Sequence, residues 1–215
     1  MDSYFHKSTE VSLVSGSLLI IATMVLHPSG GSLEHIVEDS VMITTAHALA
    51  IFSLPLVLFG FYGLTNRLMD SLRISQLAFF IMLFGLIAAM FAAVFNGLAL
   101  PYFLGQYAGN IEEQRSVLGP IATFSFSINK PLDYIFIAGC CLSILIYSLL
   151  IIRQSKFPKW IGFLGISIIL FAIIGAVTGF VFTSLTGFRI FTFSLAAWIL
   201  ATGISLTKSQ EHTHE

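Results

Sequence analysis

Charged residues are scarce in this sequence. Asp, Glu, Lys and Arg together make up 10% of its 215 residues, whereas soluble domains carry about 25%. So few charges cannot give an ordinary soluble domain its solvated surface. The formal net charge of −1 also argues against nucleic-acid binding, which requires a basic face. The composition therefore favours a membrane protein whose partner is the lipid bilayer, and it predicts no nucleic-acid partner.

The sequence also lacks common signatures of catalysis. It contains no glycine-rich phosphate loop, no G-x-S-x-G nucleophile elbow and no H-E-x-x-H zinc motif. Its two cysteines, Cys140 and Cys141, are neighbours that point in different directions on a helix. They cannot easily form a disulfide, and two cysteines alone do not make a zinc site. These absences favour a protein that is not an enzyme.

Six apolar blocks occupy most of the length. Each approaches the roughly 20 residues that a helix needs to cross a bilayer, and the blocks end at proline, glycine or polar residues that stop helices. The predicted spans are residues 11–27, 40–64, 74–100, 131–153, 160–180 and 188–206. The sequence thus predicts an all-α bundle of six transmembrane helices in one domain, residues 1–207, followed by a polar tail, residues 208–215.

The placement of lysine and arginine predicts the orientation. With the N-terminus in the cytoplasm, the inner segments hold Lys7, Arg67, Arg73, Arg153, Lys156, Lys159 and Lys208, and the outer segments hold Arg115, Lys130 and Arg189. Inner loops of membrane proteins carry the excess of basic residues. We therefore expect both termini on the cytoplasmic side.

The outer segment between the third and fourth predicted spans, residues 101–130, is long for a compact protein. Long loops usually carry function or move. Within it, residues 111–126 mix acidic and basic side chains with large apolar ones. This mixture predicts a short helix that lies in the membrane interface or folds over the outer mouth of the bundle.

Ionisable and amide side chains at membrane depth are costly, so their positions indicate function. His27 lies at the outer end of the first predicted span, and His47 lies about two turns inside the second, roughly 10 Å deep at 1.5 Å per residue. Asn96 is near the outer end of the third span, Asp133 in the first turn of the fourth and Arg189 in the first turn of the sixth. All five fall in the outer half, which predicts a ligand-binding pocket that opens outward.

Three of these residues also have structural explanations. Asp133 follows Pro131 at a predicted helix start, where the helix dipole stabilises a carboxylate. Arg189 can extend to the interface or pair with Asp133. Asn96 can join two helices by a hydrogen bond, which is the common role of an amide in a membrane.

The histidines have their own alternatives. His27 can be a boundary residue, and His47 can bond to a neighbouring hydroxyl or carbonyl. Together with His35 and nearby carboxylates they can instead bind zinc or copper, although their spacing matches no tight metal motif. A haem between two histidines requires them at similar depth, and the predicted spans place His27 and His47 at different depths.

Four stretches in the first hundred residues resemble small, uncharacterised six-helix proteins of bacterial inner membranes. The stretches are 26–30 (LHPSG), 46–50 (AHALA), 59–64 (FGFYGL) and 95–101 (FNGLALP). The resemblance implies a bacterial inner-membrane location and no particular activity. It also places His27 and His47 within matching stretches.

The leading hypothesis is a membrane protein that binds or transports a small ligand or ion in an outward-facing pocket around His27, His47 and Asn96. One alternative is an accessory or assembly subunit of a larger membrane complex, or a homo-oligomer, held together by small residues on helix faces. Another is a metal- or haem-dependent membrane enzyme. The sequence does not choose a cofactor.

Overall fold

A computed structural model describes residues 3–28, 31–68, 73–154 and 157–211, with side chains for residues 4–206 within these ranges. The chain in these ranges is almost entirely helical. Its elements are α1 (Ser3–Leu26), α2 (Leu33–Glu38), α3 (Ser40–Arg67), α4 (Ile74–Ala92), a π-helical segment (Ala93–Ala99), α5 (Leu100–Gly105), α6 (Arg115–Arg153), α7 (Lys159–Val177) and α8 (Leu185–Glu211).

Six helical stretches are long and apolar enough to cross a membrane. They are Tyr4–Leu26, Ser40–Arg67, Ile74–Gly105, Arg115–Arg153, Lys159–Val177 and Leu185–Leu206. This confirms the predicted all-helical fold with six helices of transmembrane length, as in a multi-pass membrane protein. The predicted polar tail is partly helical, because α8 continues to Glu211, and residues 212–215 lie outside the described residues.

The third span continues past Pro101, where the sequence predicted its end. Proline lacks a backbone N–H, and its ring clashes with the carbonyl four residues earlier, which is that of Gly97. The helix therefore widens into the π-helical segment Ala93–Ala99 and resumes as α5, with proline near its start. Proline is well accommodated in a first turn. Short π-helical segments occur frequently at functional sites.

The predicted long outer loop is mostly helix. The fourth span begins at Arg115 and not at Pro131, and α6 runs for 39 residues with two prolines inside it. Turns over residues 106–114 connect it to α5. The short separate helix predicted over residues 111–126 is instead largely the first part of α6, and Asp133 lies in the helix interior. The helix-dipole explanation for Asp133 is therefore wrong.

Close helix packing depends on small residues at the crossing points. α1 packs most extensively on α3 and also on α8, while α4 packs on α6 and α6 on α7. Where α4 crosses α6, a Cβ built on Gly139 would lie 3.0 Å from the Cα of Gly85. The two backbones touch there because neither residue has a side chain.

Replacing Gly139 by Ala is therefore expected to lower the free energy of unfolding by about 1 kcal/mol, because the added methyl group meets backbone that cannot move aside easily. Thermal unfolding in detergent measures the change. Gly119→Ala on the same helix is the control, because a Cβ at Gly119 meets nothing within 4 Å. An equal or greater loss in the control would contradict this account of the crossing.

The bundle has two chemically different ends. The histidine end contains the last turn of α1 and the first turns of α3, and the arginine end contains Arg67. Towards the arginine end, a stack of Phe61, Tyr147 and Trp198 fills the interior, with Phe61 centred 5.4 Å from Tyr147 and 6.2 Å from Trp198. Tyr147 bonds to Thr65 at 2.7 Å, and the Trp198 indole donates to the Ile161 carbonyl at 3.0 Å. Aromatic side chains therefore occupy the centre of this half of the bundle.

A charged cluster joins three helices at the arginine end. The Arg67 guanidinium of α3 forms an ion pair with Glu10 of α1, whose side chain is only 2% exposed. It also donates to the His6 Nδ1 at 3.2 Å and to the Leu206 carbonyl of α8 at 3.4 Å. The predicted first span began after Glu10, whereas α1 begins at Ser3. The sequence reasoning therefore missed a charge buried between helices.

Candidate functional site

A cavity of about 380 Å³ lies between the helices towards the histidine end. Most of its lining is apolar, and its volume falls in the range of about 300–1,000 Å³ that is usual for small-molecule sites. The polar residues in the lining are Thr23, His27, His47, Ser53, Asn96, Asn129, Asp133, Thr183 and Thr192. They come from α1 and the residue after it, α3, the π-helical segment, α6, the turn before α8 and α8 itself, so the cavity is built by the tertiary fold.

The structure brings His27 and His47 into contact. Their ring centroids are 4.9 Å apart, with the ring planes inclined at 55°. His27 follows the last residue of α1, and His47 lies two turns into α3. The π-helical segment packs against His47, because a Cβ at Gly97 would overlap the Cβ and Cγ of His47. Glycine at position 97 therefore lets the segment lie directly against the imidazole.

Hydrogen bonds to backbone carbonyls fix the tautomer of both imidazoles. The Nδ1 of His47 lies 2.7 Å from the Ile43 carbonyl, and the Nδ1 of His27 lies 3.0 Å from the Pro28 carbonyl. A carbonyl can only accept, so both Nδ1 atoms carry the proton. Burial also lowers the pKa of His27, which favours its neutral ring at pH 7. In a neutral ring of this tautomer, Nε2 is a free hydrogen-bond acceptor.

A hydrogen-bonded chain of side chains leads to Asp133. Ser125 donates to the Asn96 oxygen at 3.1 Å, and Asn96 donates to the Asn129 oxygen at 2.9 Å. Asn129 in turn donates to the Asp133 carboxyl at 2.9 Å. Asp133 is 7% exposed, and among the described residues it forms no ion pair with a basic side chain. A buried carboxyl of this kind requires an explanation.

Arg189 lies outside the described cavity lining. Its guanidinium donates to the His27 carbonyl, so it joins the start of α8 to the end of α1. Among the described residues, the cavity lining does not include Arg189, and Arg189 and Asp133 do not form the ion pair that the sequence suggested. This hydrogen bond gives Arg189 a structural role.

A small apolar cluster covers the cavity at the histidine end of the bundle. It joins α2, the start of α3, α5 and the first turns of α6 through Leu33, Ile36, Ile43, Leu100, Leu104, Ile111, Leu118 and Ala122. Ile36, Ile43 and Leu100 also line the cavity. On the surface of this cover, Arg115 lies 2.6 Å from both Glu34 and Glu112. The segment after Pro101 thus contributes to a packed cover.

Known proteins do not supply a family for this fold. No protein-family model, curated protein or solved structure matches the chain. The resemblance to small bacterial inner-membrane proteins therefore remains an expectation from the sequence, and the site is interpreted from its own geometry.

The sequence reasoning missed Ser125 and Asn129. Both lie in the stretch that was predicted to be an outer loop, whereas the structure places them inside α6. One signal was present, because Asn129 lies four residues before Asp133, and residues at that spacing share one face of a helix. This continuous helix was missed because the sequence predicted that the fourth span begins at Pro131.

Metal and haem chemistry fit the site poorly. Among the described residues, no group of three or more His, Cys, Asp or Glu side chains could hold a metal ion. His35 lies on α2, where its ring is 3.2 Å from Asp39, and it does not join His27 and His47 in the cavity lining. A haem held by both His27 and His47 would need its iron between the two rings, and their contact, with ring centroids 4.9 Å apart, leaves no room for it.

Proposed function

We propose that this chain is a multi-pass membrane protein that binds a small, largely apolar ligand in its cavity, as a transporter or a ligand-binding membrane protein does. The cavity itself carries this proposal. It has the volume of a small-molecule site, an apolar wall and a few converging polar groups, which is the usual combination in ligand pockets. His27, His47, Asn96 and Asp133 are the ligand-binding residues in this proposal.

The cavity also argues against a purely structural role. Empty apolar space in a helical bundle costs packing free energy, so an assembly subunit would be more stable with larger side chains at these positions. Several lining residues are alanines, namely Ala50, Ala89, Ala92 and Ala93. Their small size keeps the space open, which is what ligand binding needs.

The proposed orientation places the cavity on the outer side of a bacterial inner membrane. With both termini in the cytoplasm, seven of the ten lysines and arginines are in inner segments, in agreement with the positive-inside rule. The histidine end then faces outward and the arginine end faces the cytoplasm. The packed aromatic stack near Phe61 closes the inner side, so transport would require the helices to move.

Filling the cavity tests the proposal. Ala50 lies one turn after His47 and lines the cavity, so Ala50→Phe should occupy the space. We expect a neutral apolar probe, 1-adamantanol, to stabilise the wild-type protein by about 2.7 kcal/mol at a hundredfold excess over its Kd. The variant should show almost no stabilisation. Thermal unfolding in an uncharged detergent measures both.

Ala197→Phe is the matched control, because Ala197 is exposed on α8 and is not among the described lining residues. It should respond to the probe like the wild type. If Ala50→Phe is folded and still responds fully, the probe binds elsewhere and the proposal is wrong. Mass spectrometry of small molecules that copurify with the wild type, but not with Ala50→Phe, would identify a natural ligand.

A further inference from the structure

The cavity side chains leave several hydrogen-bond acceptors free, together with the hydroxyls of Thr23 and Thr192, which can donate or accept. Both imidazoles use their Nδ1 proton on a backbone carbonyl, which leaves the Nε2 atoms of His27 and His47 as acceptors. Asp133 accepts one hydrogen bond from Asn129, and an ionised carboxyl has further acceptor capacity. Among the described residues, no lysine or arginine lines the cavity. The lining therefore lacks a cation of its own.

The hydrogen-bonded chain is oriented towards the carboxyl. Each step from Ser125 through Asn96 and Asn129 donates in the same direction and ends on Asp133. Aligned donors of this kind strengthen one another and stabilise negative charge at the last acceptor. Asn96, the second member of this chain, directly precedes the glycine that touches His47.

From this arrangement we infer that the ligand is a protonated amine with an apolar body, whose ammonium group pairs with Asp133. The inference rests on the proposed function and adds the chemical class of the ligand. An ammonium group offers donors and no acceptor, which matches the free acceptors of Asp133 and the two imidazoles, and a hydroxyl such as that of Thr23 or Thr192 can also accept from it. Its positive charge supplies the partner that Asp133 lacks among the described side chains.

The rest of the cavity suits the body of such a ligand. Phe126, Phe136 and Phe188 line it, and Phe136 lies one turn after Asp133 on α6. Aromatic faces attract cations when water is excluded. The aliphatic wall then accommodates the apolar body.

Other ligand classes fit less well. An anionic ligand would meet the Asp133 carboxyl and the imidazole acceptors, and the hydroxyls of Thr23 and Thr192 would replace only part of its lost hydration. A neutral hydrocarbon would leave the Asp133 carboxyl buried without a positive charge. A metal ion would need more ligating side chains than the described residues bring together.

Three probes with one rigid body separate these classes. They are 1-adamantanamine, 1-adamantanol and adamantane-1-carboxylate, measured by calorimetric titration of the whole protein in an uncharged detergent at pH 7. We expect the amine to bind about tenfold or more tightly than the alcohol, and the carboxylate to bind most weakly. Asp133→Asn should reduce the affinity for the amine to about that for the alcohol and leave the affinity for the alcohol unchanged.

The control variant is Glu113→Gln. It removes the same charge from an exposed position that is not among the described lining residues, so it should keep the preference for the amine. An unchanged affinity for the alcohol shows that Asp133→Asn is folded. If that variant does not fold, the wild-type order of the three probes decides by itself.

Each remaining outcome has a defined meaning. The ammonium assignment is wrong if the wild type binds the amine and the alcohol equally tightly. It is also wrong if Asp133→Asn still prefers the amine. In both cases the proposal that the cavity binds a ligand stands. Tighter binding of the carboxylate than of the amine would overturn the ammonium assignment as well, and so would tighter binding of zinc chloride in a fourth titration. If none of the three probes binds, the proposed function fails together with the inference.

Discussion

Arg67→Met is expected to lower the free energy of unfolding by about 3–5 kcal/mol, the cost of leaving one member of a buried ion pair without its partner. The Glu10 carboxyl is 2% exposed and the Arg67 side chain 13% exposed. Removing the guanidinium also removes its hydrogen bonds to His6 and to the Leu206 carbonyl. Because the cluster joins α1, α3 and α8, its loss should loosen three helices together. Thermal and denaturant unfolding in detergent measure the effect.

A second substitution separates charge from packing. In the double variant with Glu10→Gln, the buried negative charge is gone, so part of the lost stability should return. Arg115→Met is the matched control, since Arg115 is 49% exposed and its ion pairs with Glu34 and Glu112 lie on the surface. Surface ion pairs contribute little, so its unfolding should hardly change. If Arg67→Met were as stable as Arg115→Met, the charged cluster would not hold the three helices together.

Gly97→Ala is expected to disrupt the site directly. The new methyl group would occupy the space of the His47 Cβ and Cγ, so either the imidazole or the π-helical segment must move. Overpacking of this severity costs up to about 3 kcal/mol. Because Asn96 precedes Gly97, the hydrogen-bonded chain to Asp133 should be disturbed as well. We expect loss of 1-adamantanol binding, and an altered His47 ring signal in NMR spectra of histidine-labelled protein.

The control for this change is again Gly119→Ala. A Cβ at Gly119 meets nothing within 4 Å, and alanine is the better helix former by up to about 1 kcal/mol. The control should therefore be as stable as the wild type or slightly more stable, and it should bind the probe normally. Normal probe binding by Gly97→Ala would falsify the claim that the close approach of the π-helical segment shapes the cavity.

Local sequence reasoning was weakest at the prolines. Pro101 was expected to end a helix and Pro131 to begin one, because proline lacks a donor. Pro120 lies within the short helix predicted over residues 111–126. In a bundle, neighbouring helices and local widening of the backbone accommodate this loss. The structure uses π-helical widening before Pro101 and continues α6 through the other two. Asn129 and Asp133 thereby share one helix face.

The sequence alone was sufficient to predict a helical fold with six helices long and apolar enough to cross a membrane. The short helices α2 and α5 and the π-helical segment were not predicted. A bilayer crossing requires a continuous run of about 20 apolar residues, and that requirement is local, so it can be counted along the chain. Polar side chains at membrane depth were equally visible, which is why His27, His47, Asn96 and Asp133 were identified as candidates.

Tertiary structure decided which of these groups meet. The contact between His27 and His47, the chain from Asn96 to Asp133 and the pairing of Glu10 with Arg67 each join residues from different helices or depend on where a helix begins. Helix–helix packing selects such pairs through close approaches at glycine and through polar contacts across helices. These features depend on surfaces far apart in the chain, so no local pattern contains them.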